Sequence, residues 1–189
     1  MEEAAGIQLP GTVLLNSTTD KGKRITIRAE DASATYNRLI SAGDVNGIDG
    51  VVSTAVGVAL SSKAPTALLI GDIAMLHDSN GLLNLTRRDV QMKIIVVDNE
   101  GGGIFSFLPQ AESLEGSQFE QLFGTPHSVD FESLAKTHGI PFAWATTTDE
   151  LRRELGNSGT SIIGVRTDRK LNVDHHNALY AAVAEALTQ

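Results

Sequence analysis

The stretch Thr66-Ala67-Leu68-Leu69-Ile70-Gly71-Asp72 decides the reading of this chain. Its apolar run is too short and too uniform for a helix with one wet face, and it suits a central strand covered on both sides. The pattern returns at Lys93-Ile94-Ile95-Val96-Val97, which runs into Asp98-Asn99-Glu100-Gly101-Gly102-Gly103. Two buried parallel strands that stop at polar residues and glycines place oxygen-bearing groups at neighbouring carboxyl ends of a sheet. Open α/β sheets bind ligands there.

Working outward, the glycine-spaced loop Gly43-Asp44-Val45-Asn46-Gly47-Ile48-Asp49-Gly50 enters a small-residue helix over 51–60. Residues 78–87 read as a helix carrying Leu82, Leu83 and Leu85. Downstream, 119–123 reads as a short helix, Asp130 as the cap of a helix over 131–138, and 142–145 as a strand. Thr148 or Asp149 is the expected cap of a helix over 150–155, before a strand at 161–165. The last helix is expected over 173–187, where Leu179, Val183 and Leu187 recur every four residues, with Trp144 packed against the last helices. The segment 109–116 is expected to be a mobile loop that serves as a lid. Ahead of Gly43, 12–15 and 24–28 are strand candidates. The alternation predicts an α/β fold with a three-layer parallel sheet. Its boundaries are a divergent lead-in over 1–42 and a ligand-binding domain over 43–189.

The chain has 189 residues, room for one ordinary core and not for two large domains. It has no cysteine, which removes disulfides, thiolate metal sites and a cysteine nucleophile from consideration. The formal charge of −8, with its basic residues scattered, argues against a nucleic-acid partner. No apolar run is long enough for a membrane span, and the acidic start Met1-Glu2-Glu3 does not read as a secretory signal. A cytoplasmic protein is the expectation.

Asp72 offers a carboxylate, Asn99 an amide oxygen and Gly101 a main-chain carbonyl, hard donors suited to magnesium or calcium. Glycines at 101, 102 and 103 allow close approach to a phosphate group, although tight turns at strand ends would use the same residues. Neither the Gly-x-Gly-x-x-Gly fingerprint of dinucleotide domains nor a P-loop occurs. His77 reads as a polar cap or hydrogen-bond partner as readily as a general base. The remaining histidines, His127 included, form no zinc spacing.

Gly71-Asp72 followed at the right interval by Asn99 resembles the signature of the thiamine-diphosphate-dependent enzymes. The stretches Gly47-Ile48-Asp49-Gly50-Val51-Val52-Ser53-Thr54-Ala55, Gly71-Asp72-Ile73 with His77-Asp78-x-Asn80-Gly81, and Gly101-Gly102-Gly103-Ile104-Phe105-Ser106-Phe107-Leu108-Pro109 resemble one family more closely. So do Phe123-Gly124-Thr125-Pro126-His127 and Val165-Arg166-Thr167-Asp168-Arg169-Lys170-x-Asn172-Val173. That family is the 2-succinyl-5-enolpyruvyl-6-hydroxy-3-cyclohexene-1-carboxylate synthases of menaquinone biosynthesis, in their C-terminal domain. The resemblance implies the diphosphate-binding domain of the thiamine-diphosphate-binding fold. It implies Asp72, Asn99 and the Gly101 carbonyl as ligands of Mg²⁺ or Mn²⁺, and cofactor contacts from Ile73, Gly102, Ile104 and Phe105. Ile48 is implied beneath the thiazolium, holding the cofactor bent, and Phe105 and Leu108 beside the substrate.

The implied reaction joins decarboxylated 2-oxoglutarate to isochorismate. In that family the glutamate that activates the aminopyrimidine belongs to a separate pyrimidine-binding domain, and no glutamate here sits in a copy of its motif. A pyrimidine-binding partner domain or a second subunit, in a homo- or hetero-oligomer, is therefore expected. Two upstream arginines of the family, expected to hold substrate carboxylates, are replaced by Lys21 and Gly43; Lys21 keeps a charge without the bidentate fork. These departures leave open an inactive cofactor-binding remnant, or another thiamine-diphosphate-dependent decarboxylase or carboligase.

Overall fold

The computed structural model describes residues 12–15, 40–41, 48–62, 65–88 and 90–188. The strand candidate at 24–28, Lys21 and Gly43 lie outside the described residues. The chain forms two compact units, one comprising Met1–Val97 and Val129–Val165, the other Asp98–Ser128 and Arg166–Gln189.

In the first unit, β1 (Thr12–Leu15), β2 (Ile40–Ser41), β3 (Thr66–Gly71), β4 (Met92–Asp98), β5 (Phe142–Trp144) and β6 (Ser161–Arg166) form one sheet in the order β2-β1-β3-β4-β6-β5. β1 pairs parallel with β2 and with β3, β3 with β4, and β5 with β6. Alternate residues of the central strands feed two cores. Leu68, Ile70, Met92, Ile94, Val96 and Ile162 face one way, towards α1 (Val51–Ser62), α2 (Asp72–His77), α3 (Leu83–Arg87) and α6 (Phe131–Thr137). Ala67, Ile95 and Ile163 face the other way, towards Leu151 and Leu155 of α7 (Thr148–Gly156). The expected three layers are present, and they exist because neither face of these strands can meet water.

The helix boundaries shift for local reasons. α2 fills six residues between the expected strand and the next expected helix, too few to show a helical period. The helix expected over 78–87 is a 3-10 turn at Ser79–Leu82 followed by α3, because the Asp78 carboxylate is turned to Ser53 rather than to its own following turn. Thr147, not Thr148 or Asp149, caps α7. Its hydroxyl accepts the Glu150 N–H at 3.2 Å while the Glu150 carboxylate accepts the Thr147 N–H at 3.2 Å, a closed capping box. Hydrogen bonds from Thr146 also hold the Glu150 carboxyl below its ordinary value. Asp130 caps α6 as expected, its side chain accepting from Glu132. Trp144 lies edge-on to Phe142 at 5.1 Å and over Gly164, where a Cβ would meet its ring; its packing is thus against the sheet's own residues.

The second unit contains a 3-10 turn at Gly103–Phe107, α4 (Gln110–Ser113), α5 (Gly116–Phe119), a π-turn at Glu120–Gly124 and α8 (Arg169–Leu187). The expected loop over 109–116 holds a helical turn, α4. The helix expected over 119–123 is interrupted: the Thr125 N–H reaches back to the Glu120 carbonyl at 2.7 Å, while the Glu120 side chain pairs with Arg169 at 2.7 Å. α8 starts four residues earlier than its apolar period shows, because Asp168 caps it by accepting from Leu171 N–H at 2.8 Å. Leu179, Val183 and Leu187 stand exposed, so the four-residue recurrence marks the helix without marking a buried face.

Gly101 and Gly102 pack against the π-turn. Gly101 has φ +134°, and a Cβ there would fall on the Gly124 carbonyl; the next N–H, that of Gly102, donates to the same oxygen at 2.8 Å. A Cβ on Gly103 would meet the Asn99 amide nitrogen at 2.7 Å.

Two predictions follow from this packing. Gly101→Ala should cost about 2–4 kcal/mol in denaturant unfolding, from backbone strain plus a main-chain collision. Gly57→Ala, in α1 with open space around its Cβ, should instead stabilise by about 0.5–1 kcal/mol; equal effects at the two sites would reject this packing. The second concerns Lys93, 4% exposed in β4, whose Nζ donates to Ser161 Oγ at 2.8 Å. Burial pushes its ammonium below the ordinary 10.5, partly offset by Glu154. Between the depressed folded value and 10.5 the unfolded chain holds the proton that the folded chain releases, so stability rises with pH through that window. Lys93→Met should remove that rise, read as unfolding midpoints at several pH values; parallel curves for the two proteins would contradict it.

Candidate functional site

β3 and β4 pair in register up to Gly71 opposite Val97, and Asp72 is the next residue at the carboxyl end of β3. The strand order reverses between β1 and β3, and a sheet of this kind opens a crevice beyond the strand ends at such a reversal.

In the first unit Asp72 opens α2 and is 2% exposed. Its Oδ1 accepts the N–H of Ile73 at 2.7 Å. α1 returns to β3 through a short connection, so its first turn stands at the edge where β3 ends. The turn before it carries Ile48, 39% exposed, an apolar side chain left partly in solvent. Gly50 closes that turn at φ +69°, a conformation that a residue with a Cβ rarely adopts. His77, the last residue of α2, has Nδ1 3.8 Å from Asp49 with both side chains exposed.

In the second unit Asn99 follows β4 directly and Glu100 takes φ +60°, its carboxylate accepting the Ser128 N–H at 3.0 Å. Ile104 and Phe105 are exposed, and the Phe105 ring meets Phe123 at 5.7 Å. The Leu108 N–H donates to the Phe105 carbonyl at 3.1 Å, so Phe105 and Leu108 bracket one turn. Asn99, Ser106, Phe119, Glu120 and Arg169 line a cavity of about 660 Å³ within this unit.

The expected residues thus fall into two groups. Asn99, Gly101, Gly102, Ile104, Phe105 and Leu108 belong to the second unit, and Ile48, Asp72 and Ile73 to the first. Carboxylate, amide oxygen and peptide carbonyl, as a donor set, fit a hard divalent cation, and the exposed Ile48, Ile104 and Phe105 fit an apolar ring system.

One buried polar residue was given no role from sequence. Asp98, almost fully buried, accepts the Glu100 N–H at 3.2 Å, with His127 Nε2 and Arg166 Nε each 4.0 Å from its carboxylate. The partners of Asp98 are far along the chain, so no spacing rule points to them. The only signal was the position of Asp98 between a buried strand and a glycine run.

Residues 33–165 match the thiamine pyrophosphate enzyme family, in its C-terminal TPP binding domain. The chain is 46% identical over 147 residues to the 2-succinyl-5-enolpyruvyl-6-hydroxy-3-cyclohexene-1-carboxylate synthase of Chloroflexus aurantiacus, covering 76% of this chain and 25% of that protein. With the synthase of the same name from Oceanobacillus iheyensis it is 39% identical over 180 residues, covering 90% of this chain and 30% of that protein. The chain therefore spans about a quarter to three tenths of the length of these curated relatives. Among solved structures, the benzoylformate decarboxylase of Polynucleobacter necessarius superposes with a TM-score of 0.52 at 22% identity, over 69% of this chain and 25% of that one, a likeness of fold. The resemblance to the synthases carried by the sequence motifs holds in these alignments. With a matched stretch that takes in Ile48, Asp72, Asn99 and the glycine run, this chain belongs to the thiamine pyrophosphate enzymes, as their C-terminal cofactor-binding domain.

Proposed function

We propose that this chain is the diphosphate- and cation-binding part of a menaquinone-pathway synthase that joins decarboxylated 2-oxoglutarate to isochorismate. The observation that carries the reading is the 46% identity over 147 residues, 76% of this chain, with a synthase of that name. A cytoplasmic location and action with a pyrimidine-binding domain or a second subunit belong to the same proposal.

In this reading Asp72 and Asn99 hold Mg²⁺ through side-chain oxygens and Gly101 through its carbonyl. The buried position of Asp72 and its bond from the Ile73 N–H keep the carboxylate in one orientation. Thiamine diphosphate, when bound, supplies the electron sink that a 2-oxo acid needs to lose carbon dioxide. Ile48 supports the thiazolium from below. Ile104, Phe105 and Leu108 form an apolar wall that limits water at the reacting carbon. Proton transfer to the aminopyrimidine requires a glutamate from the partner domain, and Lys21 is left as a single charge for a substrate carboxylate.

The replacement of two family arginines by Lys21 and Gly43 favours a second reading, a cofactor-binding remnant without carboligase activity. Product formation from 2-oxoglutarate and isochorismate, with a candidate pyrimidine-binding domain added, separates the two; its absence despite cofactor binding selects the remnant.

For the cation site, Asp72→Ala should weaken Mg²⁺-dependent thiamine diphosphate binding by at least about a hundredfold in calorimetric titration, since losses in the outer shell of metal sites already reach 10–100-fold. Circular dichroism should show the same folded domain. An unaltered affinity would reject the ligand role of Asp72.

A further inference from the structure

The first turn of α1 has no cap of its own. The Gly50 carbonyl accepts the Thr54 N–H at 2.9 Å, which makes Gly50 the N-cap residue, and glycine has no side chain to accept the open N–H groups of the turn. Asp78, 25 residues after Ser53 and just past the end of α2, fills that place. Its carboxylate accepts the Ser53 N–H at 2.6 Å and the Ser53 hydroxyl at 3.0 Å. Ser53 is the third residue of α1, the position an N-cap side chain ordinarily serves. Gly81 lets the segment come close: a Cβ there would meet Ser53 Oγ at 2.9 Å and Val52 Cγ1 at 3.1 Å.

We propose that Asp78 is a positioning residue: by capping α1 from another element, it sets the turn at 48–50 and with it the side chain of Ile48. A local cap would steady α1 alone. A cap that arrives from the end of α2 ties the start of α1, and the turn bearing Ile48, to that short helix, while Asp72, buried where α2 leaves β3, keeps its own place. The negative charge also suits the positive end of α1. The neighbouring His77–Asp49 contact is exposed on both sides and contributes little to this hold. The inference rests on the function proposed above, in which Ile48 supports the cofactor ring.

The test compares Asp78→Ala and Asp78→Asn with Thr147→Ala, which removes a cap of similar worth from α7. Amide exchange is measured over residues 48–54 of the ligand-free chain. Calorimetry measures the affinity for thiamine diphosphate with Mg²⁺ and for inorganic diphosphate with Mg²⁺. Asp78→Ala should speed exchange at Ser53 by about fivefold or more, the worth of a lost cap, and weaken thiamine diphosphate by a like factor while sparing inorganic diphosphate. Asp78→Asn, which keeps one acceptor oxygen, should restore part of both effects; Thr147→Ala should move neither.

Unchanged exchange at Ser53 in Asp78→Ala overturns the proposal, and so does equal weakening of both ligands or an equal loss in Thr147→Ala. If Asp78→Ala does not fold, Asp78→Asn is read for the same changes at smaller size. If the unaltered chain takes up neither ligand, the functional reading fails on its own, and the exchange measurements alone uphold or overturn the cap.

Discussion

Both faces of β3 and β4 are buried, and most of the architecture of the first unit follows from that. A strand with apolar side chains on each side needs cover on each side. The chain supplies it with α1, α2, α3 and α6 on one face and α7 on the other. Parallel neighbours then start at one edge of the sheet and stop at the other. Asp72, the residue that follows β3, is thereby delivered to the carboxyl edge of the sheet. The cost of burial falls on Lys93, the one cation drawn into the thinner core among the described residues, where Ser161 takes its ammonium.

Close approach of backbones is the second recurring device. Gly101 and Gly102 could be read as a cradle for phosphate, but in the second unit their missing side chains make room for the main chain of Phe123 and Gly124. Gly81 does the same for the start of α1. A glycine at such a position is first a condition for two segments to touch, and a ligand role for a neighbouring carbonyl depends on that condition. Capping follows similar logic. α6, α7 and α8 carry caps adjacent in sequence at Asp130, Thr147 and Asp168, whereas α1 takes its cap from Asp78.

Much of the fold was legible because the relevant signals are local. β3, β4 and β6 showed as short apolar runs, and Asp130 showed as a cap because its helix starts immediately after it. What was not legible involved partners far along the chain. Asp78 looked like the start of a helix until Ser53 claimed its carboxylate. Trp144 looked free to reach the last helix until Gly164 left a space beside it in the sheet. Leu179, Val183 and Leu187 gave the helix but not its exposure, since periodicity records which residues share a face and not what that face meets.

The sequence by itself determined the three-layer α/β class and the family, and it singled out Ile48, Asp72, Asn99, Gly101 and Phe105, the residues on which the proposed cofactor site rests. Each of these is written in short runs and fixed spacings that survive without coordinates. Only the tertiary structure decided that Asp98 is a buried carboxylate beside His127 and Arg166, that the glycine run packs on the Glu120–Gly124 turn, and that α1 is capped by Asp78. Those are contacts between residues about 20 to 70 positions apart, and which distant groups meet depends on how the layers close on one another, a property of the packed chain that no local pattern encodes.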